Sequence, residues 1–221
     1  MGNILLLGHR GAAQLPENTV PSFDKALELG ADGFELDVRQ TADGKLVVVH
    51  DAVVGTRTVR TSSYQQICDL PNGFKIPLLE EVLMKFSQTA FLDIELKARG
   101  FEDVVVELVL EHCNPHRTLI SSFYPEVLTK AYELSPELEL GFIYNRTQDE
   151  ESRHNCPVDI LKPQFRLASR ELVEQTHEEG LRVIPWTVNS ANEMQRLVNL
   201  GVDGIISDHP ENFPREIDSA K

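Results

Sequence analysis

Two short segments concentrate charged side chains where they could act together. Glu35 and Asp37 stand two apart in the apolar run G-F-E-L-D-V, and Asp93, Glu95 and Lys97 alternate with Leu92, Ile94 and Leu96 in F-L-D-I-E-L-K. On an extended strand, residues two apart share a face, so each segment presents one charged face and one apolar face. His50 follows the first segment across Asp43-Gly44, a strong hairpin-turn signal. With Asp43 and Gly44 as the two central turn residues, Ala42 pairs with Lys45 and His50 falls directly opposite Asp37. Glu35, Asp37 and His50 would then share one face; a three-residue turn would shift that register. A solvated strand edge is the commoner explanation of a lone E-x-D, so the remaining residues have to decide between the two.

Chemistry decides it in favour of a site. Carboxylates of Glu35, Asp37 and Glu95 held about 4 Å apart would repel by roughly 4 kcal/mol per pair at an effective dielectric near 20. Uncompensated, one would take up a proton or the group would splay. A hard divalent cation resolves the conflict, and oxygen ligands without paired cysteines favour Mg²⁺ or Ca²⁺ over zinc. His9 in G-H-R-G and His50 add two imidazoles that exchange protons near neutral pH. Arg10 and Lys97 add the positive charge that a phosphate requires. The set is that of a phosphoryl-transfer site: a metal as Lewis acid, two histidines as acid and base, and cations on the oxyanions.

The elements that must position these residues alternate along the chain. Ile4–Gly8 reads as a buried parallel strand. A helix follows, with Thr19 as cap, Pro21 in its first turn, Val20, Phe23 and Leu27 on one face and Gly30 at its end. After the hairpin, residues 52–76 are rich in Thr, Ser and Gly and read as a surface excursion, a candidate lid. Leu79, Val82, Leu83 and Phe86 begin a helix. Strands are then expected at 91–97, 118–122, 140–144, 158–161, 182–188 and 204–207, and helices at 104–112, 127–134, from Ser169 to Gly180, and after the Ser190/Glu193 capping box; 148–155 carries a weak helical signal. Leu27–Gly33 (L-E-L-G-A-D-G) and Val198–Gly204 (V-N-L-G-V-D-G) repeat one helix-to-strand device. Setting aside the return strand 46–50, about eight strands with intervening helices predict an α/β fold, a TIM (β/α)8 barrel with a short insertion after the second strand. One domain over 1–221 is expected, with the insertion at about 52–76. An open doubly wound sheet would want G-x-G-x-x-G after its first strand, and G-H-R-G-A does not provide it.

In such a barrel the strands' C-terminal ends form the active-site mouth. His9-Arg10, the two acidic segments, Trp186-Thr187 and Ser207-Asp208 would all lie there. Individually, several have plain structural explanations. Asp93 and Lys97 could be solvated at an edge, Asp208 could cap a turn before Pro210, Asn18 could cap a helix or fix a loop, and a sole tryptophan is more often core. His112, His116, His154 and His177 read as surface residues.

The composition is that of a soluble globular protein, with 41% hydrophobic and 25% charged residues. A formal charge of −14 opposes nucleic acid and anionic membranes as partners. Cys68, Cys113 and Cys156 form neither a disulfide framework nor a zinc motif. Met1-Gly2 lacks the Ser or Thr that myristoylation wants at position 6, and Ile4–Leu7 is too short for a signal peptide or stable membrane insertion. A cytoplasmic location is expected, and the sequence leaves oligomeric state open, a homo-oligomer included.

At these residues the chain resembles the glycerophosphodiester phosphodiesterases. The matching motifs are G-H-R-G (8–11), E-N-T (17–19), E-L-D-V (35–38), V-H-D (49–51), D-I-E-L-K (93–97), W-T-V-N (186–189) and the closing S-D-H-P (207–210). The resemblance implies a TIM barrel, Glu35, Asp37 and Glu95 as ligands of Mg²⁺ or Ca²⁺, His9 and His50 as acid and base, and Arg10 and Lys97 on phosphate. It also implies Trp186, with Phe123 beside it, as a wall for the substrate's glycerol or alcohol portion. The implied reaction converts a small glycerophosphodiester to glycerol 3-phosphate and an alcohol through a cyclic phosphate. The run Val53–Thr58 departs from the family pattern, which bears on the choice of alcohol. Two other classes stay open: a lipid phosphodiesterase of lysophospholipase D or phosphoinositide type, and a non-catalytic phosphate-ester binding barrel. The first calls for an apolar rim or basic patch, and the second for loss of a histidine; the sequence shows neither.

Overall fold

The computed structural model describes residues 4–70, 72–146 and 156–214. The element order is β1 (Leu5–His9), α1 (Val20–Glu28), β2 (Gly33–Gln40), β3 (Leu46–Val48), β4 (Val53–Val54), β5 (Arg57–Thr58), α2 (Tyr64–Ile67), α3 (Leu79–Phe86), β6 (Phe91–Leu96), α4 (Glu102–His112), β7 (Thr118–Ser122), α5 (Pro125–Leu134), β8 (Glu139–Tyr144), β9 (Ile160–Pro163), α6 (Arg170–Glu178), β10 (Arg182–Val183), α7 (Ala191–Leu200) and β11 (Gly204–Ser207). Caps set the helix starts: the Thr19, Ser169 and Ser190 side chains accept from the amides of Ser22, Leu172 and Glu193, but the box expected at Ser190 is only half formed, because the Glu193 carboxylate accepts from Arg196 Nε instead. The weak helix expected at 148–155 lies outside the described residues.

Eight of the strands run in the order β10-β9-β8-β7-β6-β2-β1-β11, each paired in parallel with the next. The two ends of this path meet. Asp203 N donates to Val183 O at 2.9 Å, Ile206 N to Pro185 O at 3.0 Å and Val188 N to Ile206 O at 2.9 Å, which closes a (β/α)8 barrel. The expected strand 182–188 is regular only at β10, because Pro185 has no amide to donate. It stays extended, with Ile184 N and Trp186 N bonded to Leu161 O and Pro163 O.

Alternation along the strands sorts the side chains. Phe34, Leu36 and Val38 of β2 and Leu92, Ile94 and Leu96 of β6 join the large core packed with the helices. Their neighbours Glu35, Asp37, Asp93 and Glu95 therefore point into the barrel, where all four are buried. The barrel interior has its own apolar layer, including Leu7, Phe91, Leu119, Ile160, Ile184 and Ile206.

The hairpin corrects one expectation. Its register is Val38↔Val48, Arg39↔Val47 and Gln40↔Leu46, one residue from the two-residue-turn pairing. The loop is Ala42-Asp43-Gly44: Thr41 N donates to Lys45 O, Gly44 N donates to Thr41 O, and Gly44 sits at φ 76°. That is the three-residue loop closed by a left-handed glycine. Asp43 Oδ1 accepts from Thr41 Oγ1 at 2.6 Å and from the Tyr64 amide, which holds the loop against the insertion. Val49, not His50, therefore faces Asp37, with Val49 N donating to Asp37 O at 2.8 Å.

Residues 52–76 hold the β4–β5 hairpin and α2, with Val47, Val59, Ile67 and Ile76 forming a separate small core. At the opposite end of the barrel, the repeated L-G-x-D-G device has a clear role. Asp32 Oδ2 accepts from Leu6 N at 2.8 Å and Asp203 Oδ2 from Val183 N at 2.7 Å, while each aspartate's own amide donates back to the carbonyl of the same residue. Asp159 does the same with Leu140. Among the described residues, no helix is long and apolar enough to cross a membrane.

Candidate active site

Of the nine residues singled out from the sequence, eight line one cavity at the mouth: His9, Arg10, Glu35, His50, Glu95, Lys97, Phe123 and Trp186. The ninth, Asp37, joins Glu35 and Glu95 in a cluster whose ligand oxygens all lie within 4.8 Å of one another. Strand pairing explains this. Glu35 is in register with Asp93, and Asp37 with Glu95, on neighbouring parallel strands.

A web of donors surrounds the cluster. The turn after β1 places Arg10 at φ 54° and Gly11 at φ 94°, which folds Arg10 back so that its amide donates to Glu35 Oε2 at 3.0 Å. Its guanidinium reaches Asp37 Oδ2 at 3.1 Å and Glu17 Oε2 at 3.0 Å. Lys97 Nζ lies 2.5 Å from Glu95 Oε1 and 3.3 Å from Asp37 Oδ1. Asn18, buried and at φ 56°, donates to Asp37 Oδ2 at 2.8 Å and accepts from the Asp37 amide at 3.1 Å. It is neither a helix cap nor a group in the cavity lining; it fixes the carboxylate.

The three carboxylates differ electrostatically. Burial, reinforced by Asp37 and Glu95, holds Glu35 well above the ordinary carboxyl range. Burial also raises Glu95, against Lys97 and with Asp37. Asp37 goes the other way: burial is outweighed by Lys97, Arg10 and the Asn18 hydrogen bond, and its carboxyl is lowered. Among the described residues, the buried Glu35 Oε1 accepts no hydrogen bond, and Asp37 Oδ1, which accepts none either, is ion-paired with Lys97. Two buried acceptors without hydrogen-bond donors, in an all-oxygen cluster, fit a hard divalent cation.

The histidines arrive from two sides. His9, the last residue of β1, places Nδ1 2.7 Å from Asp208 Oδ1. Asn189 Nδ2 donates to Asp208 Oδ2 at 2.6 Å, so the W-T-V-N and S-D-H-P segments meet behind His9. The sequence placed Asp208 at the mouth without a role, a turn cap being the plain alternative; here it orients an imidazole. Burial is outweighed there by the His9 contact, and the carboxyl lies below its usual range. His50 reaches the cavity although its register prediction fails, because β3 ends at Val48 and the backbone leaves the sheet. Arg39 Nε donates to His50 O at 2.8 Å, and His50 Nδ1 lies 2.8 Å from Asp51 Oδ1.

The cavity also contains a residue that the sequence did not flag. Lys162 of β9 is buried, with Nζ 2.5 Å from Asp93 Oδ2 and 2.8 Å from Ser121 Oγ, while Ser121 Oγ donates to Asp93 Oδ1 at 2.6 Å. A β-carbon on Gly141 would approach Lys162 Cδ to 3.1 Å, so the intervening strand leaves room for the lysine to cross. Asp93 is thus a buried ion-pair partner, not a solvated edge residue. The available signal was a lysine ending the apolar run I-L-K-P, one residue past the expected strand end. Trp186 donates from Nε1 to Lys162 O at 2.8 Å and meets Phe123 edge-to-face at 5.7 Å.

A closed (β/α)8 barrel with a carboxylate cluster, two carboxylate-held histidines and two cations at its mouth defines the class, and comparison with known proteins gives the family. Residues 9–212 match the glycerophosphoryl diester phosphodiesterase family, and the chain belongs to that family of enzymes. A glycerophosphodiester phosphodiesterase of Caldanaerobacter subterraneus subsp. tengcongensis is 35% identical over 232 aligned positions, covering 95% of this chain and 96% of the relative. An Oleispira antarctica phosphodiesterase solved in complex with the product sn-glycerol-3-phosphate superposes with a TM-score of 0.85 at 26% identity, covering 93% of each chain. The Thermotoga maritima glycerophosphodiester phosphodiesterase gives 0.82 at 28% identity, covering 96% of this chain and 97% of that one.

Proposed function

We propose that this chain hydrolyses small glycerophosphodiesters to glycerol 3-phosphate and an alcohol, with a divalent cation and with His9 and His50 as the proton-transfer pair. The observation that carries the reading is the juxtaposition, around one cavity, of the Glu35/Asp37/Glu95 cluster, of which Glu35 and Glu95 line it, with both histidines and with Arg10 and Lys97. The product held by the Oleispira relative supports the substrate class. Glu35, Asp37 and Glu95 would hold Mg²⁺ or Ca²⁺, which when bound supplies Lewis-acid polarisation of a phosphoryl oxygen.

The chain's own groups do the rest. Arg10 and Lys97 bind the phosphate oxygens, their side chains held in place by Asp37, Glu17 and Glu95. Trp186 and Phe123 wall the glycerol half. With the proton of His9 on Nδ1, toward Asp208, Nε2 is free to take the proton of the glycerol 2-hydroxyl as its oxygen attacks phosphorus. His50, steadied by Asp51, gives a proton to the departing alcohol as its phosphorus–oxygen bond breaks. The roles reverse when water opens the cyclic phosphate. The 221 residues read as one barrel unit carrying the 52–76 insertion, and cysteines that form no disulfide framework in the sequence suit a reducing, cytoplasmic compartment.

The test is release of glycerol 3-phosphate from glycerophosphocholine by metal-stripped protein, with Mg²⁺ and Ca²⁺ restored separately. Activity should vanish on stripping and return with one or both ions. Full activity in excess EDTA would overturn the metal-dependent reading.

A further inference from the structure

His50 lines two cavities. One is the reaction cavity; the other is an open groove between the Pro16–Asn18 turn and the 52–76 insertion. The phosphodiester has two arms diverging from a tetrahedral phosphorus. If the glycerol arm occupies the space beside Trp186 and Phe123, the other arm must pass His50, and the groove is where that path leads. An enclosed wall suits the half common to all substrates, and an open groove suits the half that varies.

The groove's chemistry is one-sided. Its floor includes Val49, Val54, Leu70 and Ile76, its rim carries the carboxylates of Glu17 and Asp51, and among the described residues no lysine or arginine lines it. Among the described residues each carboxylate uses one oxygen for a side-chain hydrogen bond, Glu17 Oε2 to Arg10 and Asp51 Oδ1 to His50, and Asp51 also acts on the Arg39 charge. Their side chains are 57% and 75% exposed, so both can meet a ligand from solvent. Arg57, cross-strand from Val54, is exposed and lies outside the lining.

We propose that this groove is the subsite for the leaving alcohol and that it selects small cationic amino alcohols over neutral polyols. The assignment rests on the phosphodiesterase reading above. The apolar floor accepts methylene or N-methyl groups, and the two carboxylates attract the ammonium. Exposed charges contribute modestly, so the preference should be about three- to tenfold in kcat/KM.

The experiment compares kcat/KM for four diesters that share the glycerol phosphate half and carry ethanolamine, choline, glycerol or inositol. The metal-supplemented wild type should favour the two cationic alcohols by about three- to tenfold. Leu70→Lys, on the groove floor and outside the proton-transfer and phosphate-binding groups, should lower kcat/KM for the cationic pair by about tenfold and leave the glycerol ester within about twofold. Val54→Lys provides the same test at a second position should the first variant not fold. A flat wild-type profile, or a lysine variant that depresses all four substrates equally, overturns the groove assignment alone. Failure of the folded wild type to hydrolyse any of the four overturns the phosphodiesterase reading and the groove with it.

Discussion

Replacing Lys162 by methionine tests how the barrel tolerates charge beneath its chemistry. Lys162 and Asp93 are 2% and 0% exposed, their ion pair at 2.5 Å is supplemented by hydrogen bonds with Ser121, and the lysine's charge also acts on Glu35 and Glu95. Methionine matches the lysine stem and fits the channel beside Gly141, so the substitution removes the charge with little change in packing. Asp93 is then a buried carboxylate with one hydroxyl donor. Breaking a buried pair from one side costs about 3–5 kcal/mol, a large share of the roughly 5–15 kcal/mol that folded domains possess. For a chain of this size that lowers Tm by about 6–20 °C. Removing both charges, as Lys162→Met with Asp93→Leu, should recover most of the loss, because a well-packed apolar pair replaces a buried ion pair at little net cost. Urea unfolding at pH 7 followed by the fluorescence of Trp186, whose indole donates to Lys162 O, measures all three proteins. A loss under about 1 kcal/mol for the single variant, or a double variant no better than the single, would refute the argument.

His9→Ala and His50→Ala should each reduce turnover of glycerophosphocholine by at least about 100-fold, and a near-normal rate for either removes that imidazole from the chemistry. Asn18→Ala strands the Asp37 amide and puts alanine at a positive φ, so it should cost about 2–4 kcal/mol; Asn18→Gly should cost about 1 kcal/mol less by relieving the backbone part, and the reverse order in urea unfolding would count against this. The Asp208 carboxyl is lowered in the folded state, so its contribution is present above the unfolded pKa near 4 and lost as pH falls through the folded value. The stability gap between wild type and Asp208→Asn should therefore hold steady from pH 7 to pH 5 and close in more acid solution. Burial, then Glu126, pushes the Cys156 thiol up to about 11; its alkylation in the native protein should be slow at pH 8 and rise about tenfold per pH unit, and rapid reaction at pH 8 would contradict its burial.

Much of the site was legible because barrel strands obey a strict period of two. E-L-D and D-I-E-L-K could be assigned one inward face each, and the structure places both faces toward the same interior. What escaped depended on information that spacing does not carry. The hairpin register turned on whether Asp43-Gly44 forms a two- or three-residue loop, which Thr41 settles through its hydrogen bonds to Asp43 and Lys45. His50 was placed by a register that does not exist and reaches the cavity by leaving the sheet. The roles of Asp208 and Asn18 stayed open, a cap among them, because their partners, His9 and Asp37, are distant in sequence. Lys162 was invisible for a similar reason: a lysine ending an apolar strand is ordinarily solvated, and only the closed barrel brings Asp93 and Ser121 within its reach.

The three aspartates that clasp Leu6, Leu140 and Val183 bear on how such a barrel assembles. Each clasp joins residues 26, 19 or 20 positions apart, within a single strand-helix-strand unit or its equivalent. The contact between His9 and Asp208, which ties the first strand to the end of the last, spans 199. Loop closure over that separation costs about 2 kcal/mol more than over 20 residues. The clasps between neighbouring strands are thus cheap to close, and the costly long-range contact is the one that brings His9 to the carboxylate of Asp208. The pairing of His9 with Asp208 is then a property of the finished ring rather than of any single strand-helix-strand unit.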